Sequence, residues 1–263
     1  MDASHHEVAP AQHEIYFKYG ESLETADKIM TYKLTVKTIA KRHGLYASFM
    51  LKQKYRMCGS GMHINMSLFN KEGQNIFVDE NDKNGLSKEA YNFIAGFMKP
   101  MRSMTAIINP IVNSYKRLVP GYEAQTYIAW SATNRSPLIR VPAARGLGTR
   151  VELRSPDCAT NPYLAIAVCL AAGLDGIKNN LQPVDSIQRD IYSMTDEERD
   201  EAGIENLPKN LYEAIQEMRK SDFVKGVLGK EVFKKYIKAK EEEWMEYTSQ
   251  VTDWEIDRYL GRI

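Results

Sequence analysis

Two segments of this chain alternate between apolar and polar residues, and that alternation is the strongest constraint on its fold. In MHINMSL (62–68) the apolar side chains would share one face of a strand, with His63, Asn65 and Ser67 on the other. The polar face of TRVELRS (149–155) carries Arg150, Glu152 and Arg154. Successive side chains of a strand point to opposite faces, so each segment can be buried on one side only. This pattern is typical of antiparallel sheets rather than of parallel strands buried on both faces.

Helical periodicity and cap residues predict helices around these strands. The predicted helices span 22–43, a segment from Ser87 that Pro100 interrupts, a segment beginning at Asn161-Pro162, 210–220 and 231–249. Further strands are predicted at 46–55, 127–132 and 138–142, with a loop at 113–125. Hairpin-like strand neighbours with helices between them predict an α+β fold, with a largely antiparallel sheet and flanking helices. Residues 180–263 would form a helical region within one domain that spans 1–263.

The charge balance and the cysteine content argue against several classes of protein. Lys and Arg number 35 and Asp and Glu number 34, so a formal net charge of +1 gives no reason to expect nucleic-acid or membrane binding. Cys58, Cys158 and Cys169 form no C-x-x-C pair, which argues against a disulfide framework or a structural zinc site. No apolar run resembles a signal peptide or could span a bilayer, so we expect a soluble cytoplasmic protein.

The stretch 135–154 is rich in arginine and poor in acidic residues. It holds five arginines, at 135, 140, 145, 150 and 154, and its acidic residue is Glu152. Arginine suits bidentate binding of carboxylates and phosphates, so this density favours an anionic ligand. The alternative is a solvated strand face on which Arg150, Glu152 and Arg154 pair with one another. The pattern alone leaves both interpretations open.

The segment DASHHEVAPAQHE (2–14) concentrates histidine and glutamate near the start of the chain. Such a cluster can bind a metal ion, and it can also be a solvated tail. Hard carboxylate oxygens with one histidine suit Mg²⁺ or Mn²⁺ better than zinc. Carboxylates near an arginine cluster favour a metal-bound phosphate and hence a nucleotide-dependent reaction. No G-x-x-x-x-G-K-[ST] segment and no kinase motif set is present, so neither common nucleotide-binding fold is indicated.

Five segments, in order along residues 2–176, resemble the catalytic domain of type I glutamine synthetase. They are SHHEVAPAQHEI, GSGMHINMSLF, NSYKRLVPGYEA, NRSPLIRVP and RVELRSPDCATNPYLA. The resemblance implies a ligase in which ATP phosphorylates the side chain of glutamate and ammonia displaces phosphate from γ-glutamyl phosphate, giving glutamine. It also implies Mg²⁺ or Mn²⁺ as cofactor, glutamate, ammonia and ATP as partners, and a homo-oligomeric ring.

The resemblance assigns roles to individual residues. Glu7 and Glu14 would bind one metal ion, and His63 and Glu152 the other. The glutamate site would comprise Cys58, Gly59, Arg117, Glu123 and Arg154. The nucleotide would lie along Asp2, Asn65, Ser67, Arg135, Arg140 and Arg150. The expected catalytic residues are Glu123, which would attract and deprotonate ammonium, Arg135 at the phosphoryl group and Arg117 at the substrate carboxylate.

The chain also departs from the family's pattern. The family's N-terminal β-grasp domain and an E-x-E motif that supplies one carboxylate to each metal are absent, so we expect impaired activity and weakened metal binding in isolation. Cys58 replaces the usual Asn beside glutamate, and Asp2 replaces a usual Glu at the nucleotide. Two alternative functions therefore remain: an inactive homologue that serves as a binding or interaction module, and a ligase that joins glutamate to another amine.

Overall fold

The computed structural model describes residues 3–119 and 125–263 and has an α+β architecture. The strands are β1 (Ala3–His6), β2 (His13–Tyr16), β3 (Ile64–Met66), β4 (Tyr127–Ile128), β5 (Trp130–Ser131), β6 (Ile139–Arg140), β7 (Val151–Leu153) and β8 (Glu205–Asn206). The helices are α1 (Ser22–Arg42), α2 (Lys88–Met98), α3 (Met101–Ile108), α4 (Val112–Arg117), α5 (Pro162–Lys178), α6 (Asp196–Glu201), α7 (Leu211–Arg219), α8 (Asp222–Thr248) and α9 (Asp253–Tyr259). The predicted α+β fold class is confirmed.

The largest sheet contains four strands in the order β3-β7-β6-β5. β7 pairs antiparallel with β3 on one side and with β6 on the other, while β5 and β6 are parallel. The register places Asn65, Glu152 and Arg140 side by side across three strands. Val151 and Leu153 are fully buried in the core. The alternation in the sequence therefore predicted both the antiparallel pairing and the buried face of β7.

The outer strands form two separate two-stranded antiparallel sheets. β1 and β2 make a hairpin near the start of the chain, with His5 opposite Glu14. β4 pairs with β8, which brings the polar segment before α7 onto the body of the fold. The hairpin is the element that matters for the site, because it carries the predicted metal ligands Glu7 and Glu14.

The prediction of a strand at 46–55 is wrong. The segment is irregular, and Leu51 is the single buried hydrophobic residue within 46–55. Its backbone at Lys52 donates to Asn113 Oδ1 (2.8 Å) and accepts from Asn113 Nδ2 (3.0 Å), so a side chain takes the place of a neighbouring strand. Backbone polar groups need hydrogen-bond partners, which a neighbouring strand usually supplies, and at Lys52 the side chain of Asn113 supplies them instead.

The prediction that 113–125 is wholly a loop is also wrong, because α4 occupies Val112–Arg117. The helix begins with the Ile111 backbone N–H donating to Ser114 Oγ (3.2 Å). Tyr115 and Arg117 are buried, so tertiary packing rather than intrinsic propensity stabilises this short helix. Arg117 is therefore the last residue of a helix and does not lie in a loop.

Helices α2 and α5 pack with their backbones in direct contact. A Cβ atom at Gly96 would lie 2.2 Å from the carbonyl oxygen of Ala172, and one at Gly176 would lie 2.0 Å from that of Asn92. Glycine at these positions is what permits the close approach. This helix pair forms part of the main hydrophobic core, against which the four-stranded sheet packs. Within residues 3–119 and 125–263, no helix is both long enough and apolar enough to cross a membrane.

Candidate active site

The β1–β2 hairpin brings two carboxylates and one imidazole together. His5 lies 3.9 Å from Glu7 Oε1 through its Nδ1 and 3.8 Å from Glu14 Oε2 through its Nε2. One ligand atom from each of the three residues lies within 4.8 Å of the others. Burial and the neighbouring Glu7 raise the pKa of Glu14, as expected when two carboxylates share one site. A cation would relieve this repulsion, and the hard oxygen donors fit Mg²⁺ or Mn²⁺.

Glu152 lies at the centre of the sheet and is held by two arginines. Its side chain is only 6% exposed, and it accepts from Arg140 Nη2 at Oε1 (3.2 Å) and from Arg154 Nη1 at Oε2 (2.9 Å). Arg140 Nε forms an ion pair with Oε2 at 2.6 Å. Burial alone would raise the pKa of Glu152, but His63, Arg154 and Arg140 hold it below its usual value. The carboxylate is therefore ionised in a site where a negative charge is stabilised from several directions.

His63 lies beside Glu152, with its Nδ1 3.6 Å from Glu152 Oε1. Burial and the nearby positive charge of Arg154 lower the pKa of His63 to about 4. The imidazole is therefore neutral near pH 7, which is the form that binds a metal ion. The hydrogen bond with Glu14 is the main cause that lowers the pKa of Glu7, and His63 adds a smaller effect in the same direction, so His63 lies near the hairpin as well as the sheet. The structure thus brings the four predicted metal ligands into one region.

Arg117 is buried beneath a glycine-containing segment. Its Nη1 donates to the carbonyl oxygen of Ser155 at 2.8 Å and its Nη2 to that of Arg154 at 3.3 Å. A Cβ atom at Gly61 would lie only 2.5 Å from Arg117 Nη2, and one at Gly59 would lie 3.1 Å from Arg117 Cγ. The guanidinium is therefore held by main-chain carbonyls and covered by residues that have no side chain.

The predicted nucleotide-binding residues lie in different surroundings. Arg150 donates from Nε to Asn65 Oδ1 at 2.9 Å and from Nη1 to the carbonyl oxygen of Gly148 at 3.0 Å. Arg140 is bound to Glu152, one strand away. Ser67 is half-buried just past the end of β3, whereas Arg135 is exposed in the loop between β5 and β6. The structure joins Arg150 to Asn65 and Arg140 to Glu152, but among the described residues the Arg135 side chain forms no hydrogen bond or ion pair.

Asp2 and Glu123 lie outside the described residues. Cys58 is half-buried and directly precedes Gly59, at the segment that covers Arg117. The roles assigned to all three stay predictions.

Two residues that sequence reasoning missed support the site from below. Asn75 is buried and donates from Nδ2 to the carbonyl oxygens of Thr149 (2.7 Å) and Gly146 (3.2 Å), which fixes the loop before Arg150. Asp157 is fully buried, accepts from Asn109 Nδ2 at 3.1 Å and interacts favourably with Arg117. Neither stands out in the sequence, because a buried Asn or Asp cannot be told from a turn residue without its partners.

Alkylation should distinguish Cys158 from an activated thiol. Its Sγ donates to the carbonyl oxygen of Gly61 at 3.1 Å, and burial raises its pKa to about 11. Only the thiolate reacts, so at pH 8 we expect iodoacetamide to modify Cys158 roughly 200-fold more slowly than a thiol of ordinary pKa 8.5. The rate, followed by peptide mass spectrometry, should rise tenfold per pH unit up to about pH 11. The urea-unfolded chain is the control, and a plateau below pH 9 in the native protein would contradict this assignment.

Comparison with known proteins gives a consistent result. Residues 1–259 match the family described as "Glutamine synthetase, catalytic domain". The chain is 61% identical over 262 residues to a glutamine synthetase of Clostridium saccharobutylicum, covering 100% of this chain and 59% of that protein. It is 55% identical over 263 residues to one of Methanosarcina mazei, with 100% and 59% covered. The chain therefore spans about three fifths of the length of the curated relatives it matches.

Solved structures of similar fold are available. One described as "Apo GmaS without ligand" superimposes with a TM-score of 0.86 at 37% identity, covering 98% of this chain and 58% of that one. Another, "GmaS/ADP complex-Conformation 1", gives a TM-score of 0.88 at 36% identity, covering 98% and 59%. The arrangement of helices and sheets described above is thus shared with proteins whose sequences are a little over one third identical to this chain.

Proposed function

The chain belongs to the family of glutamine synthetase catalytic domains, and on that premise we propose that it is the catalytic part of a glutamate–ammonia ligase. The proposed reaction uses ATP to phosphorylate the γ-carboxylate of glutamate, after which ammonia displaces phosphate and glutamine is formed. Glutamate, ammonia and ATP are the proposed substrates. The family likeness further supports a homo-oligomer as the working form.

One observation carries the proposal: the sheet presents Glu152, His63, Arg140 and Arg154 next to the acidic β1–β2 hairpin. Phosphoryl transfer requires positioning and charge neutralisation more than a protein nucleophile. Hard anionic ligands beside arginines supply both requirements. A solvated strand face would not be expected to bury Glu152 to this degree.

Glu7, Glu14, His63 and Glu152 are the residues that would hold Mg²⁺ or Mn²⁺. When bound, the cations would neutralise charge on the phosphates and orient the transferring group. His63, neutral near pH 7, offers a nitrogen lone pair, and Glu152 offers a carboxylate that the fold keeps ionised. Near pH 7, therefore, neither His63 nor Glu152 would have to lose a proton before binding a cation.

The proposed glutamate site is built around Arg154 and Arg117. Arg154 is 12% exposed and bound to Glu152, so its guanidinium would lie beside the proposed cation site. Arg117 is fixed by the carbonyl oxygens of Ser155 and Arg154, so it contributes a positive charge to the floor under Gly59 and Gly61. Glu123 is proposed to attract ammonium and to accept its proton, and Cys58 to line the same site.

Arg135 and Arg140 are proposed to stabilise the transferring phosphoryl group. Asn65, Ser67 and Arg150 would then lie along the rest of the nucleotide, with Asp2 at its far end. The hydrogen bond between Arg150 and Asn65 supports this, because it fixes an arginine fork on the polar face of the sheet. The ADP named in the description of a related structure also supports a nucleotide as co-substrate.

A ligase that joins glutamate to a different amine is the second candidate. Arg117 and Arg154 favour glutamate as the acid in either case, and the amine would be selected near Glu123. Phosphate release from ATP and glutamate, measured with ammonia and then with methylamine and ethylamine, separates the two. A higher kcat/KM with an alkylamine than with ammonia would favour the second candidate.

Metal-dependent γ-glutamyl transfer tests the proposal. We expect little or no transfer by the 263-residue chain alone, and transfer when the N-terminal half of a relative is supplied, because the family's site draws carboxylates from that half. Omitting Mn²⁺ is the first control, and Glu152→Gln is the second. Absence of transfer both by the chain alone and by the chain with the added N-terminal half would refute the ligase proposal and favour the inactive homologue.

A further inference from the structure

The loop of the acidic hairpin touches the glycine-containing segment through Gln12. Its Nε2 donates to the carbonyl oxygen of Gly59 and to Ser60 Oγ, both at 3.1 Å. Its Oε1 accepts from the backbone N–H of Ala9 at 3.1 Å. One side-chain amide therefore has three hydrogen bonds, two of them to residues that lie 47 and 48 positions away.

The backbone of Gln12 is connected to the proposed metal ligands. The Glu7 N–H donates to the carbonyl oxygen of Gln12 at 2.8 Å, and the Gln12 N–H donates to that of Ala9 at 3.0 Å. Ala11, just before it, has φ of +59°, a left-handed conformation that tightens the loop. Because β2 begins one residue after Gln12, a shift of Glu7 or Glu14 would be transmitted to the Gln12 amide.

The other end of this contact lies over the proposed glutamate site. The Ser60 N–H donates to the carbonyl oxygen of Leu51 at 2.8 Å, which fixes the segment from outside. Beneath it, Gly59 and Gly61 contact the Arg117 side chain. Gln12 thus connects the hairpin that carries two carboxylates to the segment that covers a buried arginine.

We propose that Gln12 is a positioning residue that couples cation binding at Glu7 and Glu14 to glutamate binding beside Gly59. This inference rests on the proposed function. A cation that fixes the hairpin would fix the Gln12 amide and therefore the Gly59 carbonyl, so glutamate would meet a preorganised segment. Coupling between two sites is reciprocal, so glutamate should tighten cation binding by the same factor.

The test compares the Kd of Mn²⁺, measured by electron paramagnetic resonance, without and with saturating glutamate. It uses whichever form of the protein, the chain alone or the chain with the N-terminal half, shows γ-glutamyl transfer. Gln12→Met keeps the length of the side chain but removes all three hydrogen bonds. We expect the coupling factor to fall about 3- to 10-fold, the loss expected for about one net hydrogen bond.

Two further variants make the result interpretable. Ser60→Ala removes one of the two acceptors of Gln12 Nε2, so it should reduce the coupling by a smaller factor. Gln182→Met makes the same substitution at an exposed position, whose amide donates to the nearby carbonyl oxygen of Asn180. It should leave the coupling unchanged.

A purely structural role for Gln12 would give a different result. If Gln12→Met lowers the midpoint of urea unfolding while the coupling factor stays at its wild-type value, the inference is overturned. The same holds if Gln182→Met reduces the coupling as much as Gln12→Met. If the wild-type protein binds neither Mn²⁺ nor glutamate, the proposed function itself fails, and that outcome is distinct from an unaltered coupling.

Discussion

Replacing Glu152 with alanine is expected to lower the free energy of unfolding by about 3 kcal/mol, the low end of the range for breaking a buried ion pair. The substitution leaves Arg140 and Arg154 without their common carboxylate in a part of the sheet where both side chains are mostly buried. The low end is appropriate because Arg140 is 25% exposed and can turn towards water. Urea unfolding monitored by circular dichroism gives the value directly.

The matched control is Glu231→Ala. Glu231 pairs with Lys235 at 2.7 Å on the surface of α8, and both side chains are more than three-quarters exposed. Water screens such a pair, so the unfolding midpoint should not change measurably. Equal destabilisation by the two substitutions would show that the arginines around Glu152 need no partner. Glu152→Gln, which keeps the side-chain shape, is expected to fold and to lose metal-dependent transfer.

Replacing Gly176 with alanine is expected to destabilise the protein by about 3 kcal/mol, the upper part of the usual range for overpacking a core. The new Cβ would lie 2.0 Å from the carbonyl oxygen of Asn92 and 2.7 Å from the backbone of Gly96. Both obstacles are main-chain atoms of α2, which cannot rotate away as a side chain could. The helices would have to separate, and urea unfolding should show a lower midpoint.

Gly226→Ala is the control for the helix-propensity effect of the same substitution. Gly226 lies inside α8, and a Cβ atom there would meet nothing within 4 Å. Alanine is the better helix former, so this variant should gain about 0.5–1 kcal/mol. Opposite signs at the two glycines are the expected result. A stabilising effect at Gly176 would mean that α2 and α5 are not in backbone contact.

The parts of the fold that the sequence predicted best are those whose pattern is local. Alternation around Ile64 and Val151 predicts β3 and β7. The predicted helix start at Ser87 agrees with α2, whose N-cap Ser87 accepts from the Ala90 N–H at 3.2 Å. The segment 46–55 was mispredicted because Asn113, about 60 residues away, satisfies its backbone. No local pattern contains that partner.

The candidate site was predictable in composition but not in its pairing. The resemblance to the family implies Glu7, Glu14, His63 and Glu152 as metal ligands, and their role stays a prediction. The β6–β7 register places Arg140 opposite Glu152, and Arg154 reaches Glu152 from two residues along the same segment. Sequence alone left ligand binding and mutual pairing open. Gln12 escaped notice because its hydrogen-bond acceptors are a distant carbonyl and hydroxyl.

The position of β7 between β3 and β6 has a consequence for motion. The backbone of Glu152 is hydrogen-bonded into the sheet on both sides, whereas the hairpin that carries Glu7 and Glu14 belongs to a sheet of two strands. The backbone on the sheet side of the site is therefore the stiffer of the two. The β1–β2 hairpin, which pairs only with itself in its sheet, is expected to move more readily as a unit. Amide exchange faster at residues 3–16 than at 151–153 would reveal this asymmetry, in which ligands reshape the hairpin while the arginine-bearing sheet keeps its backbone in place.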